Sequence, residues 1–187
     1  MRVISGIIKG KKFNFIKSSI TRPLKDSVRE NIFNILAHSN KFNLQIEGSK
    51  VLDLYSGIGS FGIECISREA KQVSFVEKNV STYQLLLDNL DKLNIIDRAR
   101  TFNQDIHDFI KIKKNTKYNI FFLDPPFSDN HFLKILKIIR EKNLFDKDHI
   151  VIIHREKKSI NNFQDFIKII LTKEYGRSKI FFGIFAE

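Results

Sequence analysis

The chain reads as an α/β protein: a doubly wound, mostly parallel sheet, closed by an antiparallel C-terminal strand pair and preceded by a short N-terminal hairpin-helix extension. Two observations lead there. From Lys50 onward, short apolar runs alternate with segments of helical periodicity, the pattern of parallel strands joined by crossover helices. The run 118–123, Tyr-Asn-Ile-Phe-Phe-Leu, has the near-continuous apolar character of a central strand buried on both faces. A length of 187 residues is ordinary for one domain and allows a core without metals or disulfides, so residues 1–187 are expected to form a single domain.

Each element has its own signal. Residues 2–16 suggest a hairpin whose tip, Lys9, Gly10, Lys11 and Lys12, is basic. After Thr21-Arg22-Pro23, apolar residues at Leu24, Val28, Ile32, Ile35 and Leu36 form a helical stripe, with Lys25 and Arg29 four apart on another face. Strands are predicted at 50–55, 72–77, 98–103, 118–124 and 149–154, and helices at 60–69, 79–93, 106–113 and 129–142. Two last apolar runs, 163–171 and 179–185, flank Tyr175-Gly176-Arg177-Ser178 and predict the closing antiparallel pair. The strand order 3-2-1-4-5 then makes the first and fourth strands neighbours, with a ligand crevice where the winding reverses.

Composition narrows the classes. Cys65 is the only cysteine, which excludes an internal disulfide and a Cys-rich zinc site and suits a reducing compartment; its expected role is packing on a helix. The five histidines lack metal-ligand spacing, so no metal is expected. No apolar run approaches a membrane span and no signal-peptide core is visible, which predicts a cytoplasmic protein. With 32 Lys and Arg against 21 Asp and Glu, the net charge of +11 favours a polyanionic partner, nucleic acid first, although an Asn-, Lys- and Ile-rich genome would also raise it.

Two motifs carry chemistry. Asp124-Pro125-Pro126-Phe127 ends the fourth strand, and two prolines in succession remove two backbone donors, leaving the turn rich in acceptors. An acid, carbonyl acceptors and an aromatic ring suit a flat base with an exocyclic amino group. The first strand ends in Asp53-Leu54-Tyr55-Ser56 and runs into Gly57-Ile58-Gly59-Ser60-Phe61-Gly62, a turn that lets a nucleotide-like ligand approach the backbone at a helix start. Asp53 could hold an ammonium group or order that loop. Glu77, ending the second strand with Lys78 beyond it, could accept both hydroxyls of a ribose. Asp105, followed by Ile106, could accept from an adenine amino group or cap the next helix. Asp53 and Asp124 are expected to face one pocket.

These residues resemble the S-adenosylmethionine-dependent methyltransferases, with residues 53–62 as the donor loop and Asp124-Pro125-Pro126-Phe127 as the amino-methylating motif. The opening Arg2-Val3-Ile4-Ser5-Gly6, then Thr21-Arg22-Pro23 and Val28-Arg29-Glu30-Asn31-Ile32-Phe33, resembles more narrowly the bacterial methyltransferases of guanine N2 in 16S ribosomal RNA, across nearly the whole chain. It departs from that pattern at Leu24, where threonine is usual, and at Asp105, where an amide is. The resemblance implies a Rossmann-like methyltransferase fold of seven strands, S-adenosylmethionine as methyl donor, and a partner that is small-subunit ribosomal RNA or the assembling small subunit, acted on by a monomer. It further implies an RNA-facing extension at 1–45 and a catalytic core at 46–187. The donor site would comprise Asp53, Tyr55, Ser56, Gly57, Gly59, Gly62, Glu77, Lys78, Asp105 and Ile106, and the RNA contacts Lys9, Lys11, Lys12, Arg22, Lys25 and Arg29. Other readings compete. A DNA adenine-N6 or cytosine-N4 methyltransferase would share every donor contact, and a non-catalytic RNA-binding protein would leave the acids idle. An NAD-dependent oxidoreductase fits the glycine spacing, but an acid in the loop would repel a pyrophosphate.

Overall fold

The computed structural model describes residues 1–15, 24–113, 116–126, 129, 131–159 and 163–186. Its strands are β1 Lys50–Leu54, β2 Gln72–Val76, β3 Ala99–Phe102, β4 Tyr118–Leu123, β5 Phe145–Glu156, β6 Ile167–Tyr175 and β7 Ser178–Phe185. Its α-helices are α1 Asp26–His38, α2 Ser60–Ser67, α3 Val80–Lys92, α4 Ile106–Ile112 and α5 Phe132–Glu141. The strands form one sheet in the order β3-β2-β1-β4-β5-β7-β6. β1 to β5 run parallel, and β7 lies antiparallel between β5 and β6. This is the expected Rossmann-like sheet, and its winding reverses between β1 and β4. There Leu54 pairs with Leu123, so the chains leaving both strands emerge side by side.

Alternation along the strands divides the core. Val51, Phe75, Ile120, Phe122 and Ile152 face α1, α2 and α3, whereas Leu52, Leu54, Phe121, Leu123 and Ile153 face α4 and α5. On the first face the rings of Phe33, Phe61 and Phe122 stack at 5.0 and 4.1 Å, joining α1 to α2 and α2 to β4. Cys65 is buried on α2, and burial pushes its thiol well above the ordinary range, consistent with packing rather than reactivity. Leu24, the departure from the family pattern, is 4 % exposed and belongs to this core. No helix among the described residues is long and apolar enough to cross a membrane.

Three elements differ from expectation. The N-terminal hairpin is present but irregular, held by the Arg2–Lys12 bridge and by bonds from Val3 N to Lys11 O, Gly10 N to Val3 O and Phe13 N to Met1 O, and it does not join the sheet. The segment docks on α2 instead: the Ile4 and Ser5 amides donate to the Glu64 carboxylate at 2.8 and 2.9 Å, and Ile7 N donates to Ser67 O at 2.7 Å. Gly6 permits this at φ 89°, since a Cβ would lie 1.8 Å from Ser67 O. β5 begins four residues before the apolar run that marked it, because Asp146, Lys147 and Asp148 are exposed. β6 begins at Ile167, not 163, and continues through the exposed Thr172, Lys173 and Glu174. Phe163 precedes it in a turn, buried against the rings of Phe132 and Phe181. A polar edge strand of this kind hides from hydrophobicity.

Candidate active site

β1 carries Asp53 into the interior, 1 % exposed. Its Oδ2 accepts the Gly62 amide at 3.0 Å, while Oδ1 is buried with no hydrogen-bond partner among the described residues. Burial holds this carboxyl well above the usual range; the Gly62 amide opposes that, and Asp124 and Glu77 add repulsion. Acids from two other strand ends therefore act on Asp53. Ser56 Oγ is a second buried polar atom without a partner among the described residues. Each would gain from a ligand donor.

The glycine loop divides its labour. Tyr55, Gly57 and Gly59 adopt φ of 59°, 55° and 86°. A Cβ on Gly57 would meet nothing within 4 Å, so this glycine borders open space. A Cβ on Gly59 would lie 2.5 Å from a Leu86 methyl, and one on Gly62 would lie 2.2 Å from the Phe75 ring. Those two let α2 and α3 close on β2, and only Gly57 offers a surface to a ligand. Glu77 ties the loop to β2, its Oε2 accepting from Gly57 N at 2.9 Å and its Oε1 from Asn79 N at 2.8 Å. Lys78 is exposed beside it. Asp105 caps α4, accepting from His107 N at 2.8 Å, while Ile106 is buried. The capping reading thus holds, and the exposed carboxylate retains lone pairs for a second donor.

The second motif meets this loop. Tyr55 Oη donates to Asp129 Oδ2 at 3.3 Å, joining the chain after β1 to the chain after β4. Burial and the neighbouring Asp129 push the Tyr55 hydroxyl far above its ordinary range. Asp124 has a side chain 24 % exposed, and its Oδ1 lies 2.8 Å from His154 Nδ1. The Pro126 carbonyl accepts twice, from Asp129 N at 2.8 Å and Arg155 Nη1 at 3.0 Å. Among the described residues no donor is seen on the Pro125 carbonyl. Phe127 lies outside the described residues. His154 and Arg155 went unnoticed in the sequence. Their signal was an ionisable pair ending an apolar strand adjacent to β4.

Of the basic residues, Lys9, Lys11, Lys12 and Lys25 are exposed, and Arg22 lies outside the described residues. Arg29 corrects its assignment to RNA. It is fully buried, with Nη2 donating to Arg2 O and to Asp26 at 3.1 Å and Nη1 to Ser60 O at 3.4 Å. Its four-residue spacing from Lys25 suggested a shared outer face, but the guanidinium instead bolts α1 and the N-terminal segment to the start of α2.

Residues 1–184 match the family described as Conserved hypothetical protein 95. Ribosomal RNA small subunit methyltransferase D of Haemophilus influenzae is 33% identical over 159 residues, covering 84% of this chain and 79% of that protein. The Escherichia coli protein of the same name is 30% identical over 156 residues, covering 83% and 75%. A solved Escherichia coli structure, yhhF, described as a candidate methyltransferase, superposes with a TM-score of 0.83 at 26% identity, covering 98% of this chain and 96% of that one.

Proposed function

The chain belongs to the family described as Conserved hypothetical protein 95, a family of methyltransferases, and from that premise we propose that it methylates the exocyclic N2 of a guanosine in 16S ribosomal RNA, using S-adenosylmethionine. The observation that carries this reading is the Tyr55–Asp129 hydrogen bond, which joins the chain after β1 to the chain after β4; with Asp124 and Glu77 both acting on the buried Asp53, it supports a crevice shared by donor loop and base clamp. Two of its relatives named for small-subunit ribosomal RNA direct the choice of substrate.

The residues fit a cationic donor. An ammonium beside Asp53 would pair the buried Oδ1 and relieve the repulsion among the acids, which a pyrophosphate would worsen. Glu77 would take the ribose hydroxyls, with Lys78 at the rim; Tyr55, Ser56 and Gly57 would border the ligand, and Asp105 and Ile106 its adenine. Gly59 and Gly62 shape the loop from behind. The donor supplies an electrophilic methyl group on sulfur.

A guanine amino nitrogen is a weak nucleophile because its lone pair is delocalised into the ring. Asp124 Oδ2 and the Pro125 carbonyl would accept its two hydrogens, favouring a tetrahedral nitrogen with its lone pair turned to the donor; Pro126 fixes the turn. Phe127 is assigned the stacking surface. The new N–C bond would replace the methyl–sulfur bond, whose electron pair stays on sulfur, and one amino hydrogen would leave as a proton through Asp124 to water. The basic extension at 1–45 would carry the phosphate contacts, through Lys9, Lys11, Lys12, Arg22 and Lys25, and 46–187 the chemistry.

The test is nucleoside analysis after incubation with small-subunit particles, naked 16S RNA and duplex DNA. N2-methylguanosine in RNA is expected, and Asp124→Ala should lose about a hundredfold or more in turnover with donor affinity retained. Methylated adenine or cytosine in DNA, or an Asp124→Ala enzyme near wild-type rate, would overturn the reading.

A further inference from the structure

Resting on that reading of Asp124 as the acceptor of the substrate amine, we infer that His154 is a positioning residue, one that fixes which carboxylate oxygen Asp124 turns to the base. His154 is 6 % exposed near the end of β5. Its Nδ1 lies 2.8 Å from Asp124 Oδ1 and its Nε2 2.9 Å from Ser178 Oγ at the start of β7. The strand register sets this line, since β5 is paired to β4 on one side, Leu123 with Ile153, and to β7 on the other, His154 with Ile180.

An ionised carboxylate only accepts, so Nδ1 carries the proton, and the serine hydroxyl, able to donate or accept, meets whichever state Nε2 takes. The Nδ1–H bond therefore persists whether the imidazole is neutral or charged. Asp124 Oδ1 is committed to it, which leaves Oδ2 as the oxygen presented to an amine.

The adjacent residue supports the same turn from the opposite side. Successive strand residues point to opposite faces, yet Arg155 donates to the Pro126 carbonyl and lays its guanidinium 4.8 Å from the Phe132 ring centre. With the Pro126 carbonyl and Asp124 Oδ1 both engaged, Asp124 Oδ2 and the Pro125 carbonyl are the acceptors of this turn on which no donor is seen among the described residues. Two acceptors suit the two hydrogens of one amino group.

Three substitutions separate positioning from mere packing. In His154→Asn the amide nitrogen occupies the place of Nδ1 and keeps the Asp124 hydrogen bond; in His154→Gln it reaches the place of Nε2 and keeps only the Ser178 hydrogen bond; His154→Leu keeps neither. The expected result is an Asn enzyme near wild-type kcat, with Gln and Leu enzymes about tenfold or more lower in kcat and unchanged in donor affinity. Equal rates for Asn and Gln would overturn the inference, as would a Leu enzyme at wild-type rate; should Leu fail to fold, the Asn–Gln comparison decides alone. Wild-type enzyme active on RNA but insensitive to all three overturns this role and leaves the proposed function standing. An Asp124→Ala enzyme at full rate overturns both.

Discussion

Asp53 shows how a buried carboxyl can be costly to the fold and, in the proposed function, suited to a cationic donor. A buried carboxyl with an unpaired oxygen has its pKa raised by desolvation, so its favourable contribution to stability is complete below the ordinary carboxylate range and is lost as pH rises through the folded pKa. Asp53→Asn keeps an acceptor for Gly62 N and removes the charge. Urea denaturation of the ligand-free variant should show greater stability than wild type at pH 7, the gap closing towards pH 4, while calorimetry shows donor affinity reduced by at least about tenfold. The glycines separate by the same reasoning. Gly62→Ala forces a methyl into the Phe75 ring and should cost about 1–3 kcal/mol, whereas Gly57→Ala meets open space and bears only the strain of positive φ, about 1–2 kcal/mol. Donor affinity should fall for Gly57→Ala far more than for Gly62→Ala.

Among the elements, β5 holds the most consequence, because it supports the clamp at its end and the C-terminal strand near its start. His149 accepts the Phe185 amide on Nε2 at 2.9 Å, with Nδ1 2.7 Å from Asp146 O, and its ring stacks on Phe185 and lies tilted against Phe145. An Nε2 that accepts cannot carry a proton. Burial lowers this imidazole's pKa, with hydrogen bonds to the Asp146 and Lys147 backbone and the charges of Asp146 and Asp148 acting the other way. The folded pKa being depressed, its contribution is present above the ordinary histidine range and is lost as pH falls below about 6.5. Denaturation of wild type and His149→Gln should therefore diverge between about pH 7 and 5, wild type losing more stability on acidification. Parallel pH curves would remove His149 from the account.

Across the described residues, positive charge is divided between the interior, at Arg29, and the surface, at Lys9, Lys11, Lys12 and Lys25. Lys9, Lys11 and Lys12 lie exposed on a segment clamped to α2, the helix that follows the glycine loop. Neutralising the three lysines should lower the slope of log affinity against log salt by roughly 0.7 for each phosphate no longer neutralised, measured with single-stranded RNA. Arg29→Leu should leave that slope unchanged and destabilise the fold by about 2 kcal/mol or more, because the Arg2 and Ser60 carbonyls are deprived of their donor. A changed slope in the Arg29 variant would return that residue to the interface.

What the residues determined by themselves was the succession of elements and the two motifs. Apolar period, glycine loop and proline pair act through near-neighbour sterics, so β1 to β5, their order and the crossover helices were legible. Legible too was the adjacency of β1 and β4, which follows from parallel winding alone and sets Leu54 beside Leu123. Tertiary structure decided which charges go inside and which acceptors are already engaged. Arg29 and Lys25 carry the same spacing signal, yet one is buried and one exposed. Pro125 and Pro126 are identical in type, and Arg155 distinguishes their carbonyls. His154 reaches Asp124 across 30 positions and Ser178 across 24. Such pairings depend on the register between strands far apart in the chain, and no local preference of the backbone encodes that register.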